Sequence, residues 1–200
     1  MWGLGSILRM DQPAETLRFD QVELRRWRVS DIETLHPVIT ESLDHLLPWM
    51  PWAASHGRKQ TQEYLARCEE QWGAGQGYDY AITSGGAVIG SCGLMRRIGP
   101  GGLEIGYWLH PTWTRKGLAT MAAAALVHAG RQLPEIDRIE IHHDEANPAS
   151  GAVARRLGFT EAERVRLPDG PTAPGEAGVR VIWRLHTQIG SADEGLAVTS

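Results

Sequence analysis

The sequence predicts an α+β domain: a twisted, mixed β-sheet of about seven strands flanked by about four helices. Three observations predict it. Strand-like runs follow one another closely, YDYAIT, AVIGSCGLM and LEIGYWL, separated by glycine-rich turns. A strand–helix–strand–helix alternation comes next, and two last strand-like runs flank a Pro/Gly-rich loop. The chain has 200 residues, 42% of them hydrophobic, enough for one sizeable core.

In chain order, residues 1–18 read as a loose lead-in, 19–186 as the domain and 187–200 as a polar, flexible tail. VELRRW (22–27) reads as the first strand. Ser30 followed by Glu33 makes a capping box for a helix beginning near Asp31, with apolar positions at Ile32, Leu35, Val38, Ile39, Leu43 and Leu46. That helix must end before LLPWMPWAA, where Pro48 and Pro51 forbid regular helix. Lys59 to Gly73 predicts a second helix, with Tyr64, Leu65, Cys68 and Trp72 on one face. After the three strands, a helix rich in alanine runs to Leu133-Pro134. RIEIHHD reads as a strand, residues 148–157 as a short helix stopping at Gly158, and FTEAERVRL and GVRVIWRLH as the closing pair.

Composition excludes several classes. There are 20 Lys and Arg against 24 Asp and Glu, a net charge of −4, which argues against a nucleic-acid binder. No apolar run approaches the roughly 20 residues of a membrane helix. MWGLGSILRMD lacks a cationic start and a small-residue cleavage site, so no signal peptide is expected. Two cysteines, Cys68 and Cys92, form neither a disulfide framework nor a CxxC pair, and read as reduced, partly buried thiols of a cytoplasmic protein.

TRKGLAT (114–120) stands between a strand and a helix, with Gly117 where glycine costs a helix about 1 kcal/mol relative to alanine. The first turn of a helix has unpaired N–H groups and a partial positive charge, and glycine lets an anion approach them. GxxxxGK[ST] and GxGxxG are both absent.

Glu104 to Ala119 resembles the acyl-coenzyme A signature of the GNAT N-acetyltransferase superfamily, whose core is [QR]xxGx[GA]. Here it reads Thr114-Arg115-Lys116-Gly117-Leu118-Ala119, with Thr at the first position and Arg115 one place later. Asn147 and the later Leu157-Gly158-Phe159 match a second family landmark. EIGYWLHP, NPASGAVARRLGF and LLPWMPW together resemble the ribosomal-protein N-terminal acetyltransferase (RimJ/RimL-like) branch, over about residues 20–186.

The resemblance implies an acetyl transfer from acetyl-coenzyme A to a primary amine by direct attack, with no metal. The pyrophosphate would lie on the N–H groups of Arg115, Lys116, Gly117, Leu118, Ala119 and Thr120. The pantetheine arm would pair with backbone at Trp108, Leu109 and His110, where LEIGYWL and RIEIHHD splay apart, and Asn147 would hold it from the other side. Arg155 or Arg156 would reach the outer ribose phosphate, or both are solvated helix charges. Glu104 is the expected base, directly or through a water, beside the plainer reading of a strand glutamate. Many relatives carry a tyrosine at the position of Ala154 to protonate the thiolate; Ser150 is the expected substitute, beside the plainer reading of a helix-start serine.

The implied acceptor is the α-amine of a protein or peptide, in the manner of that branch. A small amine such as an antibiotic or an aminoacyl-nucleotide toxin, a succinyl donor, and a non-catalytic acyl-coenzyme A sensor remain alternatives. Trp49 and Trp52 read as an aromatic wall of the acceptor pocket, as closure over the core, or as both. His142 and His143, being adjacent on a strand, point to opposite faces and do not share a metal ion. GxSxG is missing, and Cys92 has no nucleophile signature. A homodimer is left open, dimers being common in relatives.

Overall fold

The computed structural model describes residues 12–187. β1 (Thr16–Phe19) and β2 (Val22–Arg26) form a hairpin, followed by α1 (Ile32–Leu46), α2 (Arg58–Gly73), β3 (Gly77–Ser84), β4 (Ala87–Met95) and β5 (Gly102–Leu109). α3 (Leu118–Gln132), β6 (Arg138–Asp144), α4 (Pro148–Arg156), β7 (Thr160–Arg166) and β8 (Val179–His186) complete the described residues. The eight strands make one sheet in the order β1-β2-β3-β4-β5-β6-β8-β7. Only β5 and β6 pair in parallel; every other pair is antiparallel.

Each face of the sheet carries a helical layer. On one, Leu103, Ile105, Leu109, Ile139 and Ile141 pack under α3, whose small residues Ala122, Ala123 and Gly130 bring it close. A Cβ on Gly130 would stand 3.0 Å from Ile139. On the other, Trp27, Leu35, Ile39, Leu65, Cys68 and Ala81 join α1 and α2 to the strands. Trp27 is fully buried, and its Nε1 donates to Ser91 Oγ (2.9 Å). No helix among the described residues is long and apolar enough to cross a membrane.

Three local expectations change. The eighth strand, β1, lies in the expected lead-in; its four residues, TLRF, carry too little apolar pattern to announce a strand. Thr187, the first residue of the expected tail, is buried, with its N–H on Asp137 O (2.9 Å) and its hydroxyl on Ile136 O. Residues 188–200 lie outside the described residues. The Ser30–Glu33 box does not form: Asp31 accepts from Arg28 N–H (2.8 Å), and Glu33 pairs with Arg58 across to α2.

The parallel ladder is short. It runs from Gly102↔Arg138 to Ile105↔Ile141, yet β5 continues to Leu109 and β6 to Asp144. Beyond Ile105, β5 stays with β4 up to Gly90↔Leu109, while β6 stays with β8 up to Asp144↔Arg180. Each strand follows its outer neighbour, and a notch opens between them.

Asp144, at the end of β6, anchors the loop between β7 and β8. Its carboxylate accepts from the N–H groups of Ala146, Ala177, Gly178 and Val179, at 2.8–3.0 Å. Burial pushes its carboxyl up, but the four N–H donors outweigh burial and hold it below its ordinary 3.8. The loop then reaches the far wall, where Gly175 N–H donates to Pro48 O (2.9 Å) and a Cβ on Gly175 would lie 2.6 Å from Pro48. Hydrogen bonds to a charged group are worth about 1.5–3 kcal/mol each, so Asp144→Ala should lower unfolding free energy at pH 7 by about 2 kcal/mol or more. Because the folded value is depressed, this stability is present above 3.8 and lost as pH falls below it. Urea unfolding at pH 7 and pH 3 should therefore show a smaller wild-type–variant gap at the lower pH.

Candidate active site

Side chains alternate along β5, so Glu104, Gly106 and Trp108 face α1 and α2, while Leu103, Ile105, Tyr107 and Leu109 face α3 and α4. Strand register extends these positions into rows. Asp79, Gly93 and Gly106 stand side by side on β3, β4 and β5. One row above stand Ala81, Ser91 and Trp108; one row below stand Gly77, Met95, Glu104 and Glu140. Two glycines in the middle row leave a trough that ends at the notch. It is the floor of a cleft of about 1590 Å³, lined on the other side of the notch by Leu118, Ala119, Thr120, Asn147 and Ser150.

The backbone at the notch is sorted by one hydrogen bond. His110 N–H donates to Ile89 O on β4 (2.8 Å). Alternation turns the amides of Trp108 and Gly106 toward β4 as well, and those of Tyr107 and Leu109 toward the notch. Of the three expected pantetheine positions, Leu109 therefore presents its backbone and Trp108 and His110 do not. The His110 ring is held by Thr112 (2.9 Å) and Glu41 (3.2 Å), and it is absent from the cleft lining.

At the head of α3, Gly117 is the N-cap residue with φ +78°, and no side chain caps the helix. Nothing nearby crowds Gly117 except Met121 at 3.8 Å, so conformation, not space, requires the glycine. Arg115 also has positive φ (59°) and lines the cleft. Lys116 lies over the Trp113 ring, 4.7 Å from its centroid, outside the lining. Thr114, where the family pattern has Gln or Arg, instead closes the preceding turn with its hydroxyl on Pro111 O (2.9 Å).

Glu104 is 7% exposed, and Arg97 grips both its oxygens, Nε to Oε2 at 2.8 Å and Nη2 to Oε1 at 2.5 Å. His142 Nδ1 lies 3.6 Å from Glu104 Oε2, and its Nε2 lies 2.7 Å from Glu140 Oε2. His143 faces the other way, its Nε2 accepting from Trp183 Nε1 (2.9 Å). Ser150 Oγ meets Tyr107 Oη at 2.9 Å, and Asn147 Oδ1 caps α4 by accepting from Ser150 N–H (3.3 Å). Burial pushes the Tyr107 phenol up to about 12, opposed by its bond to Ser150, so it stays protonated at neutral pH. Sequence reasoning looked for a tyrosine on α4 and missed this one on β5; strand alternation is the signal that places Tyr107 beside α4.

Arg155 is corrected: its guanidinium stacks on Trp183, 5.3 Å from the centroid, away from the cleft, which Arg156 lines instead. Trp49 and Trp52 both line the cleft; Trp52 tilts against Trp108 (6.4 Å) and His56 (5.2 Å). Leu167, Thr172 and Glu176 of the β7–β8 loop form a further wall that the sequence did not announce. Cys68 and Cys92 are free and buried, and burial pushes both thiols up, which leaves them unreactive.

A mixed sheet parted at its one parallel pair, with an uncapped helix N-terminus at the gap, is the arrangement that the resemblance to acyl-coenzyme A transferases leads us to expect. The profile of the family described as Acetyltransferase (GNAT) domain matches residues 21–160, and the chain belongs to that family. It is an acyl-coenzyme A-dependent N-acetyltransferase with acetyl-coenzyme A as co-substrate. Among curated proteins it is similar to YdaF of Bacillus subtilis (strain 168), named provisionally as a ribosomal N-acetyltransferase: 24% identical over 151 residues, 74% of this chain and 82% of YdaF. Among solved structures, the RimL ribosomal L7/L12 alpha-N-protein acetyltransferase in complex with coenzyme A superposes with a TM-score of 0.78 at 22% identity, covering 86% of this chain and 98% of RimL. The microcin C7 self-immunity acetyltransferase MccE, in complex with acetyl-coenzyme A and AMP, gives 0.75 at 20% identity, covering 84% and 93%.

Asp79 is the carboxylate of the trough that burial pushes up. Burial raises its carboxyl from 3.8 to about 6, against the opposing pull of Tyr64, Arg67 and Arg97. A raised folded value makes the protonated form favour the native state, so this contribution is present below 3.8 and lost as pH rises through about 6. Asp79→Asn removes it. Between pH 3.5 and 7.5 the unfolding free energy of the variant should gain on wild type by about 3 kcal/mol, measured by denaturant titration across pH.

Proposed function

We propose that this enzyme acetylates the α-amine of a protein or peptide N-terminus. The observation that carries the reading is the double grip of Arg97 on Glu104. With both oxygens already accepting, Glu104 suits an amine that needs little help to lose its proton. An α-amine, with a pKa near 7.7–8.0, fits better than a lysine near 10.4. The Trp49–Trp52 segment and the β7–β8 loop, joined where Gly175 meets Pro48, both line the cleft, whose volume of about 1590 Å³ has room for an extended chain end. The similarity to RimL, an alpha-N-protein acetyltransferase, supports this acceptor.

The residues divide the work as follows. The amides from Arg115 to Thr120 receive the pyrophosphate, with Arg115 adding charge and Arg156 placed for the outer phosphate. The backbones of Tyr107 and Leu109 pair with the pantetheine arm across the notch, and Asn147 closes its other side. The acceptor nitrogen enters along the glycine trough. Glu104 takes its proton, directly or through one water, as the N–C bond forms and the C–S bond breaks. The departing thiolate takes a proton from Tyr107 Oη, which Ser150 Oγ orients.

Glu104→Gln should lower kcat by about 10²–10⁴-fold, the usual contribution of a positioned base. Tyr107→Phe should cost more than Ser150→Ala, and the double variant little more than Tyr107→Phe alone, because the two act as one unit. Thermal unfolding with acetyl-coenzyme A at about 100 times its Kd should show about 2.7 kcal/mol of stabilisation. Thiol release across unblocked peptides, Nα-blocked lysine peptides and small amines tests the acceptor. Higher kcat/KM for small amines than for unblocked peptides would overturn the N-terminal reading.

A further inference from the structure

The inner end of the trough holds a carboxylate with too few partners. Asp79 Oδ1 has one hydrogen bond among the described residues, to Tyr64 Oη at a long 3.3 Å. That bond is shared. Ser91 Oγ accepts from Trp27 Nε1 (2.9 Å) and has one proton for two acceptors, Tyr80 O (3.2 Å) and Tyr64 Oη (3.0 Å). When that proton goes to Tyr80 O, Tyr64 divides its own between Ser91 and Asp79; in either arrangement Asp79 receives at most this one long bond. The Cys68 thiol beside Asp79 is a weak donor. Arg67 and Arg97 lie within electrostatic reach of Asp79, yet neither pairs with it within 4.0 Å, and both are exposed and well screened. An ionised carboxylate has room for about four donors.

The neighbours leave it open toward the cleft. A Cβ on Gly93 would stand 2.7 Å from Asp79 Oδ1, so any side chain there would cover the carboxylate. Gly106 continues the floor to the notch with the Met95 methyl beside it, 3.0 Å from where a Cβ would stand, and Asp79, Gly93 and Gly106 all line the cleft. The Asp79 backbone lies two strands from Gly106, and its carboxylate leans back over Gly93, about one strand spacing (about 4.8 Å) from Gly106. A ligand nitrogen at the notch, about half a strand spacing beyond Gly106, stands about 7 Å from that carboxylate across the floor.

We infer that Asp79 is a specificity residue that binds a cationic group on the acceptor, about one and a half strand spacings (about 7 Å) from the nitrogen that is acetylated. This rests on the N-terminal reading above: in a peptide, the cation is a basic side chain at the second or third position. The charge pair forms where Asp79 is half-buried and its one hydrogen bond is long, so it is worth more than a surface pair.

The test compares short unblocked peptides carrying lysine or norleucine at the second and third positions, on wild type and on Asp79→Asn. Asn keeps the shape and the Tyr64 contact, and circular dichroism with acetyl-coenzyme A binding checks the fold and the donor site. Wild type should prefer lysine at one of the two positions by 10-fold or more in kcat/KM, mainly through KM, and Asp79→Asn should bring the ratio to near one. Brisk turnover with a wild-type ratio near one, or a preference that survives in Asp79→Asn, overturns the role of Asp79 and leaves the N-terminal reading standing. If no peptide turns over while acetyl-coenzyme A binds, the N-terminal reading fails. A long aliphatic diamine against the monoamine of equal length then decides Asp79: loss of a diamine preference in Asp79→Asn supports it, and no preference overturns it.

Discussion

Past Ile105 and Ile141, two parallel neighbours stop exchanging hydrogen bonds while both strands run on. Backbone groups deprived of partners away from water are expensive, so a gap of this kind persists only where something else engages them. Here each strand is held off the other by its outer neighbour, β4 on one side and β8 on the other. The open edge offers the amides of Tyr107 and Leu109 to an extended, amide-bearing arm. The same divergence brings α4 beside Tyr107 and sets the head of α3 at the mouth of the gap. The proposed cofactor grip, proton donor and acceptor trough all follow from where that ladder ends.

Charge is arranged unevenly around the gap. Glu140 is pushed up by burial, yet His142 and Arg184 outweigh burial and hold it below its ordinary value, so its charge is a settled part of the fold. Glu104 is gripped by Arg97. Asp79 alone among these three is left with its charge poorly compensated, and the native state is less stable for it. A fold that tolerates such a group at the end of a glycine-floored channel has traded stability for a point of attachment, the usual direction of that trade at binding sites.

Much of this was legible in residues alone. LEIGYWLH, TRKGLAT and NPASGAVARRLGF carry the strand, the glycine-headed turn into α3 and the start of α4 in order, because each is local: a period of two, a glycine at positive φ, a proline-started helix. The α1–α2 pair was legible for the same reason. What escaped depends on register across distant strands. Nothing near Asp79 in the chain announces that Gly93 and Gly106 will lie beside it, nor that Arg97 will reach Glu104. Arg155 and Arg156 are successive residues at the end of α4, and only packing decides that the first stacks on Trp183 while the second meets the cleft. β1 escaped because a four-residue edge strand leans on its neighbour for definition.

The sheet order places β8 between β6 and β7, although β7 is made first. During synthesis β7 therefore waits without a strand partner until residues 179–186 have been added. Its sequence, TEAERVR, is almost wholly exposed in the finished sheet and carries four charges, which suits a strand that must stay in water and decline stray pairing until its neighbour arrives. Because Asp144 reaches forward to the amides of residues 177–179, the arrival of β8 also draws the last wall of the cleft into place. The donor loop can take shape on a shorter nascent chain; the acceptor side is completed only with the closing hairpin.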